Sequence, residues 1–404
     1  MALLVLTAAV FWRALNAPFI HDDIQQIASN PKLHDGLRLG DVLQSGNRID
    51  RPLLNLLYSW AWAVGGGATW PFHLLNLCVH LTNGVLLSKL LGRWLGRGSK
   101  IGYLSLGLFL LHPLQIQGVT YVMGLVSSLQ CLWVFSALLL YRSGFQPAVL
   151  SVLVLAVMTK PTGVLIPFFL GLQDWTVGRK RFKDLPWKLL LTYFIAGVIA
   201  LGLLEWVLPG RDQAEVTGFH LYPPIEYLLT QFHFLARYLV LMLDPSGQSL
   251  IHDYPRFTPR VALWAGLGVL AVSGAVFASV RMLKKAPLVA FLTGFFFLTV
   301  LPTNGPLQMI NPFDEYRLYQ ANLAAFVLLA AFLVFLGQKW LRSTGIRATA
   351  FGAIAIYFVA HTWFQLGLWN DPLRVYEESL QHEPDSYLLH LGAAYYLDER
   401  GAGG

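Results

Sequence analysis

Asp22 and Asp23 stand side by side in Phe19-Ile20-His21-Asp22-Asp23, directly after the first apolar segment of the chain. A carboxylate placed where a membrane helix meets water can take the proton of an attacking hydroxyl. Two adjacent carboxylates also perturb each other's titration. Cations suited to holding a phosphate follow at Lys160, Arg237 and Arg317, and Glu315 is placed two residues before Arg317 to orient it. Arg51 and His112 are further candidates for substrate contact, each directly before a proline, and Asp253 is another. His73 and His80 lie seven apart on one face of a Leu-rich stretch and read as interhelical hydrogen-bonding groups before metal ligands. A divalent cation beside Asp22 and Asp23 is compatible with the chemistry, although no spacing demands one.

The elements that position these groups are membrane helices. The 404 residues are 55% hydrophobic and 13% charged, against roughly 25% charged in soluble domains. Apolar runs near the length of about 20 residues that crosses a bilayer occupy 2–19, 71–91, 101–115, 118–141, 188–208, 260–280, 287–303, 318–337 and 348–368. Residues 2–19 lack a basic leader and a good cleavage site, so they read as a retained signal-anchor helix. The 13 Trp fit interfacial belts. The net charge of +7 reflects loop bias, and no nucleic-acid partner is expected. Cys78 and Cys131 lie in apolar segments and form no metal or disulfide pattern.

The basic loops orient the chain. Those at 92–100, 142, 174–188, 281–285 and 339–347 hold 15 Lys and Arg against Asp174 and Asp184, which makes them cytoplasmic. With Arg142 and Arg179 both inside, 147–172 must cross an even number of times. It therefore splits into two short helices at Lys160-Pro161, since the residue before a proline is disfavoured in a continuing helix. By the same parity 209–259 lies outside, its 223–243 stretch being an amphipathic or re-entrant helix; 53–64 is a second outer helix. The count is about eleven spans, with the N-terminus inside and the C-terminus outside. The expected fold class is an all-α polytopic membrane protein, with domain 1–369 followed by a helical segment, 370–404, that carries seven carboxylates and resembles the opening of a tetratricopeptide repeat.

This topology gathers Asp22, Asp23, Arg51, His73, His112, Lys160, Arg237, Asp253, Glu315 and Arg317 on the outer face. Ionisable groups near membrane depth are costly and mark function. The mix suits transfer of a sugar from a polyprenyl phosphate to an acceptor hydroxyl, with Asp22 as base, Asp23 orienting the acceptor or a cation, and the cations stabilising the leaving phosphate. A transporter or flippase of a lipid-linked or anionic substrate is the alternative, because paired short helices around Lys160 also fit broken transporter helices. A non-catalytic scaffold docking a partner through its outer tail is a third reading.

Ordered motifs now carry a family resemblance. They are Phe19-Ile20-His21-Asp22-Asp23, Arg51-Pro52-Leu53, Phe72-His73 through His80, Leu111-His112-Pro113-Leu114-Gln115, Tyr121-Val122-Met123-Gly124, Thr159-Lys160-Pro161-Thr162-Gly163, Asp253-Tyr254 and Glu315-Tyr316-Arg317-Leu318-Tyr319. Together they resemble the transmembrane and tetratricopeptide-repeat O-mannosyltransferases. The resemblance implies the C-type glycosyltransferase (GT-C) fold, a catalytic Asp in the first outer loop, a polyprenyl-phosphate sugar donor and inversion at the anomeric carbon. It also implies a protein or glycan acceptor on the outer face, protein Ser/Thr first, and a multi-pass place in a bacterial inner membrane with the site facing the periplasm.

Overall fold

A computed structural model describes residues 1–34, 51–207, 222–255, 257–305, 311, 313–341 and 343–402. Part of the expected outer segment 209–259 and Arg342 of the basic loops lie outside the described residues. Among the described residues the chain is helical, with one isolated antiparallel bridge between His252 and Phe313. The helices of ten or more residues open with α1 (Ala2–Phe11), α2 (Pro52–Gly65), α3 (Trp70–Leu95), α4 (Lys100–Leu111) and α5 (Leu125–Tyr141). They continue with α6 (Gln146–Thr159), α7 (Ile166–Trp175), α8 (Trp187–Val207), α9 (Pro224–Leu241) and α10 (Pro259–Met282). The last are α11 (Pro287–Val300), α12 (Asn322–Trp340), α13 (Thr344–Leu368), α14 (Pro372–His382) and α15 (Tyr387–Ala402). Proline opens α2, α9, α10, α11 and α14; its missing N–H costs nothing there, because the first turn has no intrahelical acceptor for it.

Among the described residues, six helical stretches are long and apolar enough to cross a membrane: Trp70–Leu95, Val122–Tyr141, Trp187–Leu204, Pro259–Met282, Asn322–Trp340 and Thr344–Leu368. Each coincides with a span expected from the sequence. The other expected spans hold shorter helices: α4 has 12 residues, α6 and α11 have 14. At about 1.5 Å per residue these reach only ~18–21 Å of a ~30 Å hydrocarbon core. Pro113 and Lys160-Pro161 stop α4 and α6, and tight 3₁₀ turns carry the chain on.

Helix α3 is the organiser of the bundle, through a polar stripe at 73, 76, 80 and 83. Spacings of three and four put these residues on one helix face. Nε2 of His73 bonds the Ala17 carbonyl at 2.8 Å, and Asn76 donates to the Tyr121 carbonyl at 3.0 Å. His80 bonds the Tyr319 hydroxyl at 2.7 Å and the Leu110 carbonyl at 3.1 Å. Asn83 donates to the Ser128 carbonyl at 2.8 Å. The histidines therefore act as interhelical hydrogen-bonding groups, and the stripe ties the loop after α1, the end of α4, the start of α5 and the approach to α12 to one rod.

At the basic end Asp174 is fully buried and collects three partners, Lys180 at 2.7 Å, the Tyr141 hydroxyl at 2.8 Å and Arg142 at 3.5 Å. The contact places the loops after α5 and α7 on the same side, as the even crossing of 147–172 requires. The reversal between them happens at Lys160, whose backbone is extended. Past it Gly163 lies against the backbone of α6: a Cβ there would sit 2.5 Å from Ala156 C and Val157 N. The chain thus folds back on itself and holds Lys160 at the bend.

Candidate functional site

The loop after α1 is a tight turn that separates its two carboxylates. His21 takes a left-handed backbone, φ 54°, which costs a non-glycine residue of order 1–2 kcal/mol. The turn is closed by Asp23, whose Oδ2 accepts from Ile20 N at 3.3 Å and whose Oδ1 accepts from Met123 N at 2.9 Å. Asp23 is buried, and burial pushes its carboxyl well above the usual range against the pull of those backbone N–H groups. Asp22, by contrast, is about one-third exposed, with His21 Nε2 at 3.6 Å. One carboxylate braces the loop against the start of α5, and its neighbour faces outward.

Tyr121 lies next to them. Its hydroxyl is buried with no protein partner, and its ring meets those of Tyr316 at 5.8 Å and Trp369 at 6.3 Å. Burial, then the charges of Asp22 and Asp23, hold this phenol well above its ordinary value, and Tyr316 and Asp314 add to the effect. Tyr121 therefore links the carboxylate loop to the segment that carries Arg317.

Lys160 and Arg317 line one small cavity of about 30 Å³ with Ser127, Gln130, Thr162 and Gln320. Ser127 Oγ and Gln130 Oε1 are buried there without a protein partner, so these polar residues from three segments line a space unfilled by protein. Arg317 is anchored by Asp314 at 2.6 Å and donates to the Asn311 carbonyl at 2.9 Å. Two cations and two buried polar atoms without a protein partner therefore border one small space.

The structure corrects the role expected of Glu315. This carboxylate turns away from Arg317 and accepts from Gln248 Nε2 at 2.7 Å, Ser249 N at 3.0 Å and His252 Nε2 at 2.9 Å. Asp314, one residue earlier, takes the arginine instead, because the 3₁₀ turn at 315–318 places i and i+3 on one side. On its other nitrogen His252 meets Glu383 at 3.1 Å, and Glu383 holds Arg237 at 2.5 Å. Glu315, His252, Glu383 and Arg237 thus form one chain of charges. Arg237 is committed to the loop between α14 and α15, away from the Lys160 cavity.

His112 is also placed outside the cluster. Its Nδ1 accepts from Leu114 N at 3.2 Å and its Nε2 meets the Met242 carbonyl at 3.0 Å, between the rings of Phe326 and Phe358. With both nitrogens engaged by backbone, it shapes the exit of α4 instead of contacting a phosphate. Arg51 precedes α2, where its carbonyl accepts the first helical N–H groups. Among the described residues no three His, Cys, Asp or Glu side chains converge as a metal site would require. Asp23 has both oxygens occupied, which leaves Asp22 as the carboxylate a cation would meet.

Sequence reasoning missed Tyr121, His252, Asp314, Ser127 and Gln130. Tyr121 and Asp314 sit inside or beside motifs already singled out, whereas Ser127 and Gln130 look like ordinary polar residues of a span.

No family model matches the chain. Over 171 residues, 38% of this chain, it is 26% identical to mouse (Mus musculus) protein O-mannosyl-transferase TMTC3, covering 18% of that protein. Over 144 residues, 33% of this chain, it is 24% identical to human (Homo sapiens) protein O-mannosyl-transferase TMTC1, covering 16% of it. The matched stretch is thus under a fifth of either relative's length. The solved structure of ArnT from Cupriavidus metallidurans bound to undecaprenyl phosphate aligns with 97% of this chain and 76% of that one, with a TM-score of 0.49 and 14% identity. In sequence, then, the chain is similar to the transmembrane O-mannosyltransferases, the family its motifs resemble.

Proposed function

We propose that the chain is a GT-C membrane glycosyltransferase that moves a sugar from a polyprenyl phosphate to an acceptor hydroxyl. The observation that carries this reading is the shared cavity of Lys160 and Arg317, with the unmatched polar atoms of Ser127 and Gln130. It is an anion pocket connected through Tyr316 and Tyr121 to an outward carboxylate. The acceptor O–H gives its proton to Asp22 as its oxygen attacks the anomeric carbon. The bond from that carbon to the phosphate oxygen breaks on the opposite face, so the centre inverts. The electron pair leaves with the polyprenyl phosphate, whose added negative charge Lys160 and Arg317 stabilise in place. Asp23 positions Asp22 by pinning the loop to Met123.

The similarity to O-mannosyltransferases makes mannose the first sugar to offer and protein Ser/Thr the first acceptor. The excess of Lys and Arg in the opposite loops supports a site on the non-cytoplasmic face, which in this reading is the periplasmic face of a bacterial inner membrane. The helix break at Lys160 keeps a transporter of a lipid-linked anion as the competing reading.

The test is transfer of radiolabelled sugar from polyprenyl-phosphate mannose and related donors to membrane extract, comparing wild type with Asp22→Asn. The proposal expects labelled macromolecule with wild type and a loss of ~10²–10⁴-fold with the variant, the usual range for a general base. No product from any donor, together with label crossing a vesicle bilayer, would replace the enzyme by the transporter.

A further inference from the structure

We infer that the apolar groove bounded by α1, α4, α12 and α13 binds an anionic glycerophospholipid of the leaflet that the basic loops face. The groove encloses about 550 Å³. Its walls are aliphatic and aromatic, with Leu104, Leu108 and Phe351 among them, and its inner end closes on Leu111, His112 and Phe358. At its mouth stand Lys100 and Arg347, from opposite walls, and no carboxylate lines it among the described residues. Arg347 donates to Thr344 Oγ1 at 3.2 Å, while its Nε is buried without a protein partner.

Length and charge select the occupant. From Lys100 to Leu111 the wall is one helix of 12 residues, or ~18 Å at about 1.5 Å per residue. That is close to half of the ~30 Å hydrocarbon core, the depth of a single leaflet. An acyl chain lying along α4 with its ester region at the mouth therefore brings its phosphate to Lys100 and Arg347. A second cavity adjoins the first across Tyr103 and is lined by Lys89, Arg93 and Arg97 around the Gly96–Gly98 turn. Basic pockets between membrane helices on the cytoplasmic side take anionic headgroups, and the loops concerned are those that the positive-inside rule places there. The groove opens at the end of the bundle opposite Lys160 and Asp22, so the inference does not rest on the glycosyltransferase reading.

The experiment is native mass spectrometry of the purified full chain in detergent, titrated with phosphatidylglycerol, phosphatidylcholine and undecaprenyl phosphate in turn. Wild type should retain one phosphatidylglycerol in preference to phosphatidylcholine. Each cation near an anionic headgroup contributes about fivefold in affinity, so the double variant Lys100→Gln with Arg347→Gln should weaken phosphatidylglycerol by roughly 30-fold. Phosphatidylcholine should be almost unaffected by it. Gly107 lines the groove, and a Cβ there would meet only Leu3 at 4.0 Å; Gly107→Leu extends into the acyl path and should remove retention of both lipids while α4 stays folded. Equal retention of the two phospholipids by wild type, or a preference unchanged in the double variant, would overturn the proposal. So would undecaprenyl phosphate displacing phosphatidylglycerol, which would give the groove to the donor lipid.

Discussion

At the scale of single residues, Asp22 and Asp23 show how neighbours of identical chemistry acquire different work. Asp23 spends both oxygens on backbone N–H groups, and its burial favours the neutral form. Asn in its place offers one acceptor oxygen for two donors, which leaves a buried N–H unmatched. Asp23→Asn is expected to lose about 1–3 kcal/mol of stability, read as a fall in thermal midpoint, while Asp22→Asn leaves the midpoint near wild type and removes transfer. Equal destabilisation by both would show that Asp22 is also structural. Tyr121→Phe removes the unpartnered hydroxyl; it should leave folding intact and lower the rate of transfer. A rate identical to wild type would confine Tyr121 to packing.

At the scale of elements, the bend at Lys160 depends on Gly163. No side chain fits where its Cβ would stand 2.5 Å from the backbone of Ala156 and Val157, and backbone cannot step aside as a flexible side chain can. Gly163→Val is expected to open the turn between α6 and α7 at a cost of about 1–3 kcal/mol or more. Because Lys160 then leaves the cavity it shares with Arg317, the affinity for the phosphate donor should fall more than the thermal midpoint predicts. A comparison with Lys160→Gln separates the two effects: the lysine variant should keep the midpoint and lose donor affinity. If Gly163→Val instead bound donor normally, the bend would not be what presents the lysine.

At the scale of the whole molecule, the C-terminal helix pair is a wall of the site and not a loose appendage. Tyr376 presses on Gly392 within the pair, Tyr396 donates to the Phe19 carbonyl at 3.2 Å, and Ser379 accepts from Leu250 N at 2.9 Å. Glu383 is its charged latch, reaching Arg237 and His252. Burial alone lowers the His252 value, but the hydrogen bonds of Glu315 and Glu383 outweigh it and the net direction is upward. A raised imidazole contributes stability that is complete below its ordinary value of about 6.5 and is lost as pH rises through the higher folded value. Docking of the helix pair should therefore weaken toward alkaline pH, visible as increased hydrogen exchange across 372–402. His252→Gln should remove that pH dependence, and a slope unchanged in the variant would place the titration elsewhere.

What was legible in the sequence was whatever local composition controls. The six long apolar helices, the stops at Pro113 and Lys160-Pro161, and the break between α14 and α15 all follow from hydropathy and from the backbone limits of proline. The sign of the loops follows from their charge. The partners of the buried ions were not legible. Glu315 lies two residues from Arg317, yet its partners are Gln248, Ser249 and His252, more than 60 positions away. Nothing in the adjacency of Asp22 and Asp23 tells which one is buried, because that is decided by Met123 arriving from the start of α5. Local propensity sets where a helix begins and ends, whereas the satisfaction of a buried charge depends on which distant backbone and side chains close around it, and only the folded bundle supplies those.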